Sequence, residues 1–276
     1  MIFTYKKWDN FCSRLIKADI KSIPANEVGK SDEKYLVLKH DVETDVRKAY
    51  KMAQIEANYS HRGSYYVQAY LMQDKDNVKL LSEMQDMGHE ISYHHDVLDS
   101  NKGNIDNAIK EFENNKAVFE KNGFAIKTVC QHGNPVVERV GYTSNRDFFR
   151  NSKVGEKYPE ISDIMVNFKQ KHKTDYLYYS DAGRKFKMIF DPINNDVINS
   201  DDKNIPYENL DELFTAISKG DNIIISTHPH RWCNSAVVYS LKCAMFKFIQ
   251  IFAKLLTKIP FCKKVMSKYY YLAKKI

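Results

Sequence analysis

The chain has no pair of cysteines at metal-finger spacing. Its five cysteines, Cys12, Cys130, Cys233, Cys243 and Cys262, are scattered, which excludes a structural zinc site of the finger type. An odd count with loose spacing reads as reduced thiols, hence as a cytoplasmic protein. The stretch Met1 to Asp9 has no apolar signal core. No run of about twenty uncharged apolar residues occurs, so no spanning helix is predicted. Acidic residues are missing from one region: from Lys242 to the end there are nine lysines and no Asp or Glu. The formal charge of +7 is therefore concentrated in a basic tail, and the rest is close to neutral. That excludes a globally basic nucleic-acid binder. No internal sequence repeat is present.

What is there suits a folded α/β protein. The 276 residues, 43% of them hydrophobic, suffice for one large domain or two small ones. Trp8, Phe11, Leu15 and Ile16 are spaced for one apolar helix face, in an N-terminal arm over 1–33. Tyr35 to Lys39 reads as a strand. Thr44 can cap the next helix, on which Val46, Tyr50, Ala53 and Ala57 recur at helical spacing. Strands then follow at 63–67, 89–94 and 126–131, with helices at 78–87 and 104–121 between them. Strand and helix alternate four times with short connections, the pattern of a parallel sheet or barrel. The middle, 136–205, is less regular. Asp175 to Ser180 reads as a strand and Asn194 to Asn204 as a polar loop or lid. A helix at 208–218, ended by Gly220, precedes a buried strand at 222–227. Ala236 to Thr257 reads as a long helix. It either covers the barrel or lies at an interface, attracted to anionic lipid.

Five strand ends carry unusual polar residues: His40-Asp41-Val42-Glu43, His94-His95-Asp96, His132, Asp181 and His228-Pro229-His230. In the third strand, alternation turns Glu90, Ser92 and His94 one way and His89, Ile91 and Tyr93 the other. Placing so many ionisable groups at one end of a sheet is costly unless they pair or bind a metal. His and Asp suit a borderline divalent cation: zinc first, then cobalt, nickel, manganese or iron. Such a site lowers the pKa of a water, and a remaining His or carboxylate serves as base or acid. Arg184, Arg231 and Trp232 lie just past strand ends, where they could bind sugar hydroxyls or an anionic group.

These residues carry a resemblance. Lys39-His40-Asp41-Val42, Gly88-His89-Glu90-Ile91-Ser92-Tyr93-His94, His132-Gly133-Asn134-Pro135 and Ile224-Ile225-Ser226-Thr227-His228-Pro229 fall in the order and spacing of the motifs of the polysaccharide deacetylase family. The chain resembles its divergent branch, whose first motif reads His-Asp-Val-Asp/Glu, over about residues 35 to 232. The resemblance implies a distorted (β/α) barrel with about seven strands. It also implies metal-assisted removal of an acetyl group from an N- or O-acetylated sugar. Carried over by position, Asp41 and His94 would be metal ligands and His228 the acid that protonates the leaving amine, with Asp181 orienting a catalytic His.

Three departures follow. The family's base position is His40, its second histidine ligand is replaced by Leu98, and its third-motif arginine is absent. His95, Asp96 or His132 must complete a metal site, and His132 is favoured as the end of the adjacent strand. The base is then Glu43 or His40, with Glu43 on the same side as Asp41. His95 is left as a substrate contact beside Arg184, Arg231 and Trp232.

The expectation is thus an N-terminal arm (1–33), a barrel (34–235) and a C-terminal basic helix and tail (236–276). The protein would be a metal-dependent carbohydrate deacetylase of the cytoplasm, at or near the inner membrane face. Its substrate would be an acetylated sugar or lipid-linked glycan, with no nucleic-acid partner. The competing readings are another metal-dependent hydrolase on the same barrel (a phosphoesterase or amidohydrolase) and a catalytically silent carbohydrate-binding protein.

Overall fold

The computed structural model describes residues 2–30, 33–134, 137–182, 186–193, 204–217 and 220–256. Helix α1 (Tyr5–Lys17) comes first. Strand β1 (Leu36–Val42) and helix α2 (Val46–Asn58) follow, then β2 (Gly63–Val67) and α3 (Lys75–Asp86). Next are β3 (Glu90–His95), the single turn α4 (Val97–Ser100), α5 (Ile105–Lys121) and β4 (Thr128–Gln131). The middle holds the short helices α6 (Asp147–Arg150), α7 (Ser152–Lys157) and α8 (Phe168–Lys171), with β5 (Ser162–Asp163) between α7 and α8. Strands β6 (Leu177–Ser180), β7 (Phe186–Met188) and β8 (Ile205–Tyr207) precede α9 (Leu210–Ile217), β9 (Ile223–Thr227) and α10 (Ala236–Leu256).

The strands form one sheet in the order β5-β4-β3-β2-β1-β9-β6-β7-β8. The seven from β5 to β6 are parallel, while β7 and β8 add on antiparallel. This is an α/β fold around a central parallel sheet. The seven parallel strands are those of the expected distorted (β/α) barrel, and among the described residues no ladder joins β5 to β6. The Tyr176 hydroxyl, just before β6, donates to Ile164 O (3.1 Å), just after β5. Every residue of β1, β2, β3 and β9 is buried, as parallel strands covered on both faces must be.

The two faces differ. Outside, Ile91, Tyr93 and Val129 pack under α3 and α5 with Phe112 and Phe119. Trp8, Phe11 and Leu15 of α1 pack with Leu36, Leu38 and Ile225, so the N-terminal helix lies against the sheet. Inside, Val37, Tyr66, Cys130, Tyr178 and Ile224 meet Ile164 and Phe168. Above this layer the interior turns polar. Lys39 pairs in register with Ser226 and Ser64, and Ser64 with Glu90. Gly63 leaves no room for a side chain: a Cβ there would stand 2.8 Å from Leu38 O and 3.0 Å from Glu56 Oε2. Gly88, at φ +93°, makes the left-handed turn that reverses the chain from α3 into β3.

Local differences from the sequence expectation have simple causes. Asp45 rather than Thr44 caps α2, accepting from Arg47 N–H (3.1 Å), because the helix starts one residue later. Helix α3 starts at Lys75, capped by Asp74 through Asp76 N–H. The irregular middle contains β5 and the β7–β8 hairpin, whose strands of two or three residues leave no alternation to read. Of the proposed lid, 194–203 lie outside the described residues.

Candidate active site

Parity along β1 and β3 builds the site. Asp41 is on the interior face of β1, and Glu43 follows its end. His94 is on the interior face of β3, in register with Cys130 of β4. Its Nδ1–H donates to Cys130 O (3.0 Å). That bond fixes the tautomer, leaving Nε2 as a bare lone pair with no hydrogen-bond partner. Burial drives the His94 pKa down to about 3, against the pull of Asp41, so the ring is a neutral donor. Ligand atoms of Glu43, His94 and His132 lie within 4.8 Å of one another, as do those of Asp41, His94 and Cys130. His132 Nε2 stands 3.4 Å from Glu43 Oε1.

The two sets are not equivalent. Lys39, two residues before Asp41 on the same face, is buried, and its ammonium donates to both Asp41 oxygens (2.6 and 2.7 Å) and to Ser226 Oγ (3.1 Å). Burial alone would raise the Asp41 pKa, but Lys39, with help from His94 and His228, takes it down to about 2. Burial alone would lower that of Lys39, and Asp41 more than reverses it. Both groups are therefore ionised, and Asp41 already has its cation. Cys130 is no better a donor, because burial pushes its thiol well up. Glu43, His94 and His132 form the set that suits a divalent ion: two imidazoles and one carboxylate, with an unspent lone pair on His94.

Across from them stands a second assembly. His228, just past β9, donates Nδ1–H to Asp181 Oδ1 (2.5 Å) and its backbone N–H to Asp181 Oδ2 (3.0 Å). Arg231 donates to Asp181 Oδ1 (3.0 Å) and to its carbonyl (2.8 Å). Burial would raise the Asp181 pKa, but His228 and Arg231 hold it below the usual carboxylate range. The other nitrogen, Nε2, faces the interior 3.8 Å from Asp41 Oδ2. At the start of α2, an open cavity of about 410 Å³ is lined by Thr44, Asp45, Arg47, Tyr70, Asp74 and Asn77 among others, and by none of the residues of the two assemblies. The Tyr70 hydroxyl donates to Glu43 O (2.6 Å) and so ties the turn after β2 to the end of β1.

The structure thus brings Asp41, Glu43, His94, His132, Asp181, His228 and Arg231 together. It does not bring the rest. His40 points to the opposite face of β1, toward α2, with Nδ1 2.6 Å from Thr227 Oγ1 and Nε2 3.0 Å from Glu56 Oε1. It therefore does not face the group as a base would. His95 likewise points outward, donating to Asp163 Oδ2 (2.9 Å) amid Phe112, Phe148 and Phe149. Trp232 is fully buried between Phe3 and Trp8, where no substrate reaches it. Arg184 lies outside the described residues.

Three positioning residues have no role assigned by the motif reading. Lys39 is one, although a lysine two residues from an aspartate in a buried strand already requires a counter-ion. Tyr70 is another. The third is the fully buried Asn145, which accepts from the N–H of Leu98 and Asp99 and donates to His132 O (2.9 Å). It ties the end of β4 to the turn after β3 from a stretch with no periodicity.

No family model matches the chain, and no curated protein does. Among solved structures it is similar to a Streptococcus mutans CE4 esterase (TM-score 0.46, 11% identity, covering 80% of this chain and 84% of that one). It is also similar to the peptidoglycan deacetylase PdaC from Bacillus subtilis, in a mutant form (TM-score 0.36, 11% identity, covering 71% and 88%). At these TM-scores neither likeness bears on the activity.

Proposed function

We propose that the chain is a metal-dependent hydrolase that removes an acetyl group, N-linked by preference, from an acetylated sugar. One observation carries the reading: the bare, buried Nε2 of His94, its ring fixed by Cys130 O, in a group whose Glu43, His94 and His132 ligand atoms lie within 4.8 Å of one another. The motif resemblance to polysaccharide deacetylases supplies the substrate class. Glu43, His94 and His132 would hold the ion, with zinc the first choice for two imidazoles and a carboxylate. Once bound, such an ion polarises the acyl oxygen and lowers the pKa of the attacking water.

The remaining chemistry belongs to His228. Its Nε2 takes a proton as the water oxygen bonds to the acyl carbon. The same proton then passes to the sugar nitrogen as the carbon–nitrogen bond breaks, giving acetate and an amine. Asp181 holds Nδ1–H and the ring orientation, and Arg231 holds Asp181. Asp41, kept ionised by Lys39, stabilises the imidazolium from 3.8 Å. With a pKa near 2 it is too weak a base to abstract the proton itself.

The test is acetate release from N-acetylated and O-acetylated sugars after loading with zinc, cobalt or manganese, alongside phosphate esters and cyclic amides. Acetate from the sugars alone supports the proposal; turnover of phosphate esters or cyclic amides alone rejects it. The Lys39–Asp41 pair favours a second reading, a catalytically silent carbohydrate binder. Sugar binding without bound metal or acetate release would establish that reading instead.

A further inference from the structure

Helix α10 has two opposite faces. Tyr239 packs edge-on against Phe3 (5.6 Å), and with Cys243 it joins the core beneath α1. On the other side Val237, Leu241, Met245 and Phe248 are 69%, 66%, 46% and 69% exposed. Their spacings of four, four and three residues put them on one stripe of a helix with about 3.6 residues per turn. Val238, 44% exposed, widens it. A stripe of this size turned away from the body is an interaction surface rather than scattered exposure. The segment from Lys242 onward carries nine lysines and no acidic residue. An apolar stripe in a sequence rich in lysine and free of acidic residues is the composition of a helix that lies in the plane of a lipid interface. No helix among the described residues is long and apolar enough to cross a membrane.

We infer that α10 docks this protein on an anionic lipid surface, its apolar stripe against the acyl chains and the basic character of the sequence from Lys242 onward favouring anionic headgroups. A second copy is disfavoured as the occupant, because two copies of a sequence with nine lysines and no acidic residue from Lys242 onward offer each other no opposite charge. Helix α10 leaves the C-terminal end of the sheet a few residues after His228 and Arg231. Docking there would present the site to sugars carried at a membrane. The inference stands apart from the hydrolase proposal, and its test has no activity readout.

The experiment is sedimentation of the full chain with vesicles of phosphatidylcholine, alone or mixed with phosphatidylglycerol at about 2:1. The expected result is at least roughly tenfold stronger partitioning onto the mixed vesicles, weakening as salt is added. The double variant Val237→Glu/Leu241→Glu loses that binding with an unchanged circular dichroism spectrum. Lys242→Gln/Lys247→Gln/Lys254→Gln weakens it while leaving the apolar stripe intact. No sedimentation, equal binding to both vesicle types, or full binding by either variant would overturn the inference. So would light scattering that finds a dimer in the parent chain and a monomer in Val237→Glu/Leu241→Glu.

Discussion

The two faces of β1 carry two buried clusters of histidine and carboxylate, and they end differently. On the outer face Glu56 accepts from Trp8 Nε1–H (2.9 Å) and the Tyr65 hydroxyl (2.8 Å), with His40 Nε2 at 3.0 Å. His89 closes the group, accepting from Gly63 N–H (2.9 Å) and donating to Ala53 O (3.1 Å). His40 Nε2 makes no hydrogen bond of its own, but Glu56 stands beside it as an ion-pair partner and leaves no room for a ligand, so the cluster joins α1 and α2 to the sheet. On the inner face Asp41 is satisfied by Lys39, but His94 keeps an unspent lone pair. A closed cluster is scaffold, whereas a fixed and unsaturated one is a place for a ligand. The difference is made by a single step of strand parity between His40 and Asp41.

That contrast predicts different losses. His228→Ala, on the inner face, should lower kcat by about 10² to 10⁴ with stability near that of the parent, read by steady-state kinetics beside urea unfolding. Equal kcat would remove His228 from the chemistry. Lys39→Met should cost about 3–5 kcal/mol in urea unfolding, because it leaves a buried carboxylate without its cation. The double variant Lys39→Met/Asp41→Leu should recover most of that loss, and failure to recover would mean that Lys39 acts by packing alone.

Glu56→Gln, on the outer face, should cost about 1–3 kcal/mol while sparing metal binding. Its pH signature follows from the shift. Burial would raise the Glu56 pKa, but His40 and His89 hold it below the ordinary 4.5. The stability it adds is therefore present above 4.5 and lost as pH falls through the folded value. Glu56→Gln should flatten that acid limb.

Glu90→Gln should have the smallest effect. Glu90 accepts from Ser64, Thr128 and Asn26, yet burial still holds its pKa above 4.5. A raised carboxyl favours folding below its unfolded pKa, and this advantage fades as pH rises through the folded one. At neutral pH the amide should be within about 1 kcal/mol of the parent, with the gap widening in acid. A loss at pH 7 as large as that of Glu56→Gln would contradict the assignment.

Much of this was legible in the sequence. Alternation in β3 separates His94 from His89, and the repeating strand-helix pattern gives the parallel sheet. Alternation in β1 also puts His40 opposite Asp41, although the motif sets the two side by side. What the sequence leaves open is tertiary. Nothing local says that Lys39 reaches both Asp41 oxygens, since that depends on the depth of the interior. Nothing local places Asn145 under His132, because α6 and its approach lack periodicity. Nor does the strand pattern say that β7 and β8 add on antiparallel beyond β6.

The central claim is that the inner-face metal site uses Glu43 in place of Asp41. Metal stoichiometry by mass spectrometry, after loading with zinc and desalting, tests it directly on the parent chain and on Glu43→Ala, His94→Ala, His132→Ala and Asp41→Asn. The account predicts about one ion per chain for the parent and for Asp41→Asn, and a loss of at least about tenfold in affinity for the other three. Loss of the ion in Asp41→Asn with retention in Glu43→Ala, or a parent chain that holds none, would contradict it.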